Sequence, residues 1–179
     1  MKTQTKRLST ALLLAVLISL LCASAPASAS AQEAEKINLV EAMSVTNLDL
    51  SPYQGKAIFL NFFTEWCPYC MQEMPDIKKI FETYDQDELQ IVLVHVWDRE
   101  DETHTESVKK TYGLEDMTFF EDTDRSVTQW LGIPGYPTSI FIDKDGYFHS
   151  AAPYMMTFEA IGAELDALGV AQADEVAAP

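Results

Sequence analysis

The chain has 179 residues, 12 basic against 28 acidic, for a formal net charge of −16. A surface this acidic repels phosphate backbones and anionic headgroups, so neither nucleic acid nor an anionic membrane is an expected partner. The three cysteines are too few for a disulfide-stapled miniature fold, and 47% hydrophobic residues is the share of an ordinary globular domain.

Residues 1–31 read as a secretory leader to be set aside from the fold. Lys2, Lys6 and Arg7 make a basic start, and Ala11 to Leu21 is an apolar run broken only by Ser19. Ala23 to Ala31 repeats the small residues that signal peptidases accept. Cleavage is expected after Ala29 or Ala31, because a cut after Ala25 would leave Pro26 at the new terminus. The run falls short of the roughly 20 apolar residues of a membrane span, so an uncleaved anchor is the less favoured alternative. Cys22 stands where a lipoprotein cysteine would, but bulky Leu21 precedes it where a small residue is required. Cleavage removes three basic residues and no acid, leaving nine against 28, or −19. The remaining chain, of about 148 residues, suits one domain, periplasmic or secreted.

Residues 32–44, polar and rich in Ala and Glu, are expected to be a flexible lead-in to a domain over 45–170. Val45 to Gly55 reads as a short extended segment with a turn at Ser51-Pro52. Ala57 to Phe63 is an apolar run broken by Asn61, as expected of a strand covered on both faces. From Cys70, apolar residues recur at Met74, Ile77, Phe81 and Tyr84, which is helical spacing with one buried face. Pro75 sits inside that helix and is expected to kink it. Ile91 to Trp97 predicts a second buried strand, Arg99 to Thr105 a charged loop, and Glu106 to Tyr112 a short helix closed by Gly113. A brief strand over Met117 to Glu121 precedes a helix marked by Val127, Trp130 and Leu131 and stopped at Gly132. Thr138 to Ile142 predicts a strand, Lys144-Asp145-Gly146 a hairpin turn, and Tyr147 to Ala151 the return strand. Ile161, Leu165 and Leu168 define a last helix, and residues 171–179 a frayed tail. Strands alternating with helices and closing in a hairpin predict an α/β domain with a mixed sheet covered on both sides.

The chemistry concentrates at Trp66-Cys67-Pro68-Tyr69-Cys70, where the first buried strand runs into a helix. Two intervening residues put both sulfurs on the first helical turn, within the roughly 4.4–6.8 Å Cα separation that a disulfide needs. The helix start offers unpaired N–H groups and a partial positive charge, which favour thiolate over thiol. After leader removal these are the only cysteines left. A loop this small constrains the unfolded chain little, so a redox role explains the pair better than a structural one.

Three separated motifs resemble the thioredoxin superfamily, and within it the TlpA/ResA/CcmG-like extracytoplasmic thiol-disulfide oxidoreductases. Asn61-Phe62-Phe63-Thr64-Glu65-Trp66-Cys67-Pro68-Tyr69-Cys70 is similar to the family's "NFWATWCPPC". Glu73-Met74-Pro75 is similar to its "E-x-P", and Gly135 to Gly146 to its "G-x-P-T-x-F-x-I-D-x-x-G". A lone Cys-x-x-Cys is a weak signal; three motifs in order are a strong one.

The resemblance implies a thioredoxin-like fold with an N-terminal extension and an insertion between the Cys-x-x-Cys half and the proline half. It implies that Pro137, 67 residues after Cys70, is a cis proline beside the disulfide. A turn proline is the plainer alternative there. Cys67, expected to be exposed at the helix start, becomes the attacking thiolate, and Cys70, deeper in the turn, resolves the mixed disulfide. From the residues themselves, Trp66 is expected to shield the site and pack the turn, and bulky Tyr136 to stack on a substrate strand. Thioredoxin itself has a buried Asp where this chain has Asn61, which cannot titrate. Glu73, one turn past Cys70, is then the candidate proton acceptor, against the alternative of a solvated helix glutamate.

The implied activity is protein-disulfide reductase, with protein thiols and disulfides, among them apocytochrome c, as clients. Electrons would come from a membrane thiol donor of the DsbD/CcdA type, and the protein would act as a monomer. No cofactor is needed, because the cysteines carry the two electrons. An oxidising, disulfide-forming role is the alternative direction. Cys-Pro-Tyr-Cys departs from the family's usual Pro-Pro or Ala-Pro and is familiar from glutaredoxins, but the leader, Trp66 and the long gap to Pro137 argue against that branch. A copper-binding chaperone on the same fold is a rival from another class. Those relatives have three residues between the cysteines and a distant histidine. Here the spacing is two, His95 reads as a core residue with satisfied nitrogens, and His104 and His149 read as surface residues, so no metal is expected. A redox-inert domain that inherited the fold is the third reading, disfavoured by retention of both cysteines.

Overall fold

A computed structural model describes residues 36–99 and 105–173. The leader, residues 32–35 of the lead-in, His104 and residues 174–179 of the tail lie outside the described residues.

Five strands form one sheet: β1 (Ala57–Phe63), β2 (Leu89–Val96), β3 (Thr118–Asp122), β4 (Thr138–Ile142) and β5 (Phe148–Ala152), in the order β3-β2-β1-β4-β5. β1 pairs in parallel with β2 and β2 with β3, while β4 runs antiparallel to both β1 and β5. Every residue of β1 is buried, as its apolar run predicts for a central strand.

The two-residue period of β1 assigns its side chains to two cores. Ala57, Phe59 and Phe63 face the helices α2 (Pro68–Thr83), α3 (Thr105–Tyr112) and α5 (Phe158–Ala167). Ile58, Leu60 and Phe62 face α1 (Leu39–Met43) and α4 (Ser126–Leu131). Phe59 stacks on Phe141 of β4 with ring centroids 5.0 Å apart. Each buried Phe, Ile or Leu of this set stabilises the fold by about 1.5–3 kcal/mol. The same alternation places Asn61 on the α2 face, and its β4 register partner is Ser139.

In α2, Cys70, Met74 and Ile77 are buried as their spacing predicts, but the stripe continues through Ile80, while the expected Phe81 is only partly buried and Tyr84 is the C-cap. Glu73 falls within the stripe. The helix runs unbroken through Pro75, whose missing N–H removes only the bond to the Met71 carbonyl. Among the described residues no helix is long and apolar enough to cross a membrane.

Two boundary expectations are corrected. The described end of the lead-in is not flexible: Leu39, Val40 and Met43 of α1 are buried, the Asn38 side chain caps the helix by accepting from Glu41 N at 2.9 Å, and Leu39 N donates to Gly146 O at 2.8 Å. Gly146 has φ +88°, and a Cβ there would lie 3.0 Å from Asn38 Oδ1 and 3.3 Å from Val40 Cβ, so the turn is shaped to receive this helix. At the other end, residue 171 belongs to the domain rather than to a frayed tail. Ala171 N donates to Glu88 Oε2 at 2.8 Å, Asp85 N donates to Ala171 O at 3.0 Å, and Tyr84 forms a bridge with Gln172. Backbone pairing holds both segments, and their polar composition gave no hint of it.

Candidate functional site

β1 delivers the chain through Thr64, Glu65 and Trp66 to Cys67, which is the N-cap of α2 with extended backbone (φ −82°, ψ 109°). Pro68 follows at the first helical position, where its missing N–H costs nothing. Cys67 and Cys70 form a disulfide across a Cα separation of 5.3 Å. Cys67 Sγ also accepts the backbone N–H of Cys70 at 3.2 Å, taking the place of an N-cap oxygen. After reduction, the same N–H and the positive end of the helix would stabilise a Cys67 thiolate.

The expected exposure of Cys67 is corrected: in the disulfide only 3% of it meets solvent, and Cys70 is fully buried. The cause is tertiary. The loop before β4 brings the Tyr136 carbonyl oxygen to 3.5 Å from Cys67 Sγ, and the Tyr136 ring meets Trp66 edge-on with centroids 6.4 Å apart. The Tyr136–Pro137 peptide is cis, and Thr138, the next residue, ties the loop by donating from Oγ1 to Gly135 O at 2.7 Å. Trp66 and Tyr69 stay exposed beside the buried sulfurs. Trp66 is held on two more sides: its Nε1–H donates to Asp98 Oδ1 at 2.7 Å, and the Arg99 guanidinium lies 3.8 Å above its ring.

Glu73, one turn past Cys70 on α2, is fully buried, which overturns the solvated-glutamate alternative. Its Oε1 accepts from Met156 N at 2.9 Å and its Oε2 from Asn61 Nδ2 at 3.1 Å. Burial pushes its carboxyl up to about 7, with these two hydrogen bonds pulling the other way and Asp76 adding to the rise. A buried carboxyl that titrates near neutrality, on the same helical face as Cys70, can take up or release a proton there.

The structure thus brings together Trp66, Cys67, Cys70, Tyr136 and Pro137, with Glu73 buried one turn further along α2. Sequence reasoning missed Ser139, Met156, Asp98 and Arg99. Ser139 carried a signal, being polar inside a buried strand. Met156 acts through its backbone, which no side-chain pattern reveals.

His95 is buried as expected, stacked on Phe63 with centroids 4.9 Å apart, but its nitrogens are not both satisfied. Thr105 Oγ1 donates to Glu121 Oε1 at 2.7 Å, so at its 3.0 Å contact with His95 Nδ1 the ring donates. Nε2 has no partner among the described residues. Burial holds the His95 pKa below its ordinary value. His149 lies on the surface as expected, exposed on β5 and 3.5 Å from Glu164.

A mixed sheet whose central strand runs into a Cys-x-x-Cys disulfide, with a cis proline opening the neighbouring antiparallel strand, defines a thioredoxin-like domain. The AhpC/TSA family model matches residues 30–149, and the chain belongs to that family. Over 119 residues it is 29% identical to the thiol-disulfide oxidoreductase ResA of Geobacillus thermodenitrificans, covering 66% of this chain and 67% of the relative. Among solved structures it is similar to a secreted Mycobacterium tuberculosis disulfide oxidoreductase homologous to E. coli DsbE. That match has a TM-score of 0.58, 24% identity and coverage of 67% of this chain and 87% of the other, a likeness of fold. It is also similar to an exposed lipoprotein thioredoxin of Streptococcus pneumoniae, with a TM-score of 0.54, 27% identity and coverage of 66% and 87%.

Proposed function

We propose that the protein is a thiol-disulfide oxidoreductase that reduces protein disulfides outside the cytoplasm through Cys67 and Cys70. The carrying observation is the Cys67–Cys70 disulfide at the N-terminus of α2, where Cys67 Sγ accepts a helix N–H.

The Cys67 thiolate attacks a client disulfide; one client sulfur bonds to Cys67 and the other leaves as thiolate. Glu73 accepts the Cys70 proton, the Cys70 thiolate bonds to Cys67, and the second client sulfur departs. The client gains two electrons and the site closes its disulfide. Cys67 is the attacker because it is the less buried of the two and occupies the cap. Because its sulfur is nearly covered, a client strand must enter beside Tyr136, Pro137 and Trp66.

The reductase direction, apocytochrome c as a client and a DsbD/CcdA-type membrane donor are part of this proposal, supported by the motif resemblance of the sequence to extracytoplasmic thiol-disulfide oxidoreductases. A periplasmic or secreted location, proposed from the leader of residues 1–31, and a monomeric state complete the proposal. Insulin reduction by the purified protein tests the activity. Wild type accelerates it, and Cys67→Ala abolishes it; retained activity in that variant contradicts the reading. An equilibrium titration against glutathione tests direction, with a potential nearer about −270 mV than about −120 mV expected of a reductase.

A further inference from the structure

Asn61 lies in the middle of β1, fully buried on the face that α2 covers. Its amide nitrogen spends both N–H groups, one on Glu73 Oε2 at 3.1 Å and one on Ser139 Oγ at 3.1 Å. Its oxygen, Oδ1, is buried with no partner among the described residues.

This arrangement suits an ionised Glu73: both contacts to its carboxyl are donors, so the acid would keep them as an acceptor but find no acceptor in either for its own O–H. A carboxylate accepts at both oxygens, whereas the acid must point one O–H outward. A proton on Oε2 would face an Asn61 N–H, and a proton on Oε1 would face the Met156 amide that donates there at 2.9 Å. A backbone amide cannot reverse its polarity. The Asn61 side chain can, because a half-turn about its terminal torsion exchanges nitrogen and oxygen. In the turned state Oδ1 accepts from the Glu73 O–H and also from Ser139, whose hydroxyl rotates from acceptor to donor, while the Nδ2–H groups move to the position Oδ1 held, which has no partner among the described residues.

We propose that Asn61 is a positioning residue whose amide follows the proton on Glu73, nitrogen inward to the carboxylate and oxygen inward to the acid, with Ser139 reversing in step. The inference rests on Glu73 being the proton acceptor for Cys70. When Cys70 S–H gives its proton to Glu73 and its sulfur bonds to Cys67, the turn of Asn61 keeps the new acid hydrogen-bonded and leaves Met156 N–H on Oε1. The release of that proton reverses the turn. Of the groups facing Glu73, Asn61, Ser139 and the Met156 amide do not titrate near neutrality. Asp76 on α2 contributes a like charge, and the cysteines add their thiols when reduced.

The test is nuclear magnetic resonance on the oxidised, isotope-labelled protein from about pH 5 to about pH 9, a range spanning the Glu73 transition. The Asn61 side-chain amide protons and the Glu73 carboxyl carbon are expected to titrate with one midpoint. Through-space contacts from those protons to Ser139 are expected above the midpoint and lost below it. Asn61→Leu, which keeps the volume and removes the donor, is expected to move the Glu73 midpoint up by about one pH unit. Amide signals that ignore the Glu73 transition, or Ser139 contacts that persist through it, overturn the proposal, and neither observation depends on a variant that folds. Failure of the underlying reading looks different: a Glu73→Gln exchange rate with the wild-type pH profile removes Glu73 from catalysis while the Asn61 titration stands.

Discussion

Glu73→Gln in the oxidised protein tests the buried carboxyl through stability alone. The unfolded chain releases this proton near 4.5 and the folded one only near 7. Between those values the folded state holds more protons than the unfolded state, so stability falls as pH rises. The contribution is fully present below 4.5 and gone above about 7. A separation of about 2.5 pH units at 1.36 kcal/mol each amounts to about 3 kcal/mol, a large part of a typical 5–15 kcal/mol. Urea unfolding from about pH 4 to about pH 8.5 gives the wild-type and Glu73→Gln curves. The wild type should lose about 3 kcal/mol relative to the variant across that window, with the difference constant on either side. Parallel curves would refute the claim that burial raises this carboxyl.

His95 has the opposite sign. Its folded pKa is depressed by burial, so the stability it provides is present above 6.5 and lost as pH falls through its folded value. His95→Phe should remove that acid-side loss in the same unfolding series. Asp98→Ala frees the Trp66 indole and should raise the alkylation rate of reduced Cys67 a few-fold; an unchanged rate would mean that Trp66 does not guard the sulfur. Phe59→Ala removes a fully buried ring stacked on Phe141 and should cost about 3–5 kcal/mol in chemical denaturation. Gly146→Ala strains a φ of +88° and crowds Asn38 and Val40, so limited proteolysis should cut faster near α1.

Legibility in the sequence followed the range of the physics. The run from Ala57 to Phe63 and the spacing of Cys70, Met74, Ile77 and Phe81 are local patterns, and the central strand and α2 formed where those patterns placed them, though Ile80 rather than Phe81 completes the buried stripe. The Tyr136–Pro137 loop could be assigned to the cysteines only through motif resemblance, since 66 residues separate Cys70 from Tyr136. Three features depended on contacts distant in sequence. Leu39, Val40 and Met43 are too few apolar residues in a polar stretch to announce a helix, and they are buried because Gly146 receives them. Cys67 is covered by a carbonyl from another strand's entry loop. Glu73 is tied down by Asn61 on β1 and by a backbone N–H at residue 156, and neither bond leaves a mark on the composition around it.

Mixed-disulfide trapping tests the central claim most directly. Reduced Cys70→Ala protein is mixed with a disulfide-bearing protein client, quenched in acid and mapped by mass spectrometry. The account predicts a covalent adduct at Cys67 that accumulates because its resolving thiol is gone. No adduct in that variant, or an adduct at Cys70 of the Cys67→Ala protein formed as fast, would contradict it.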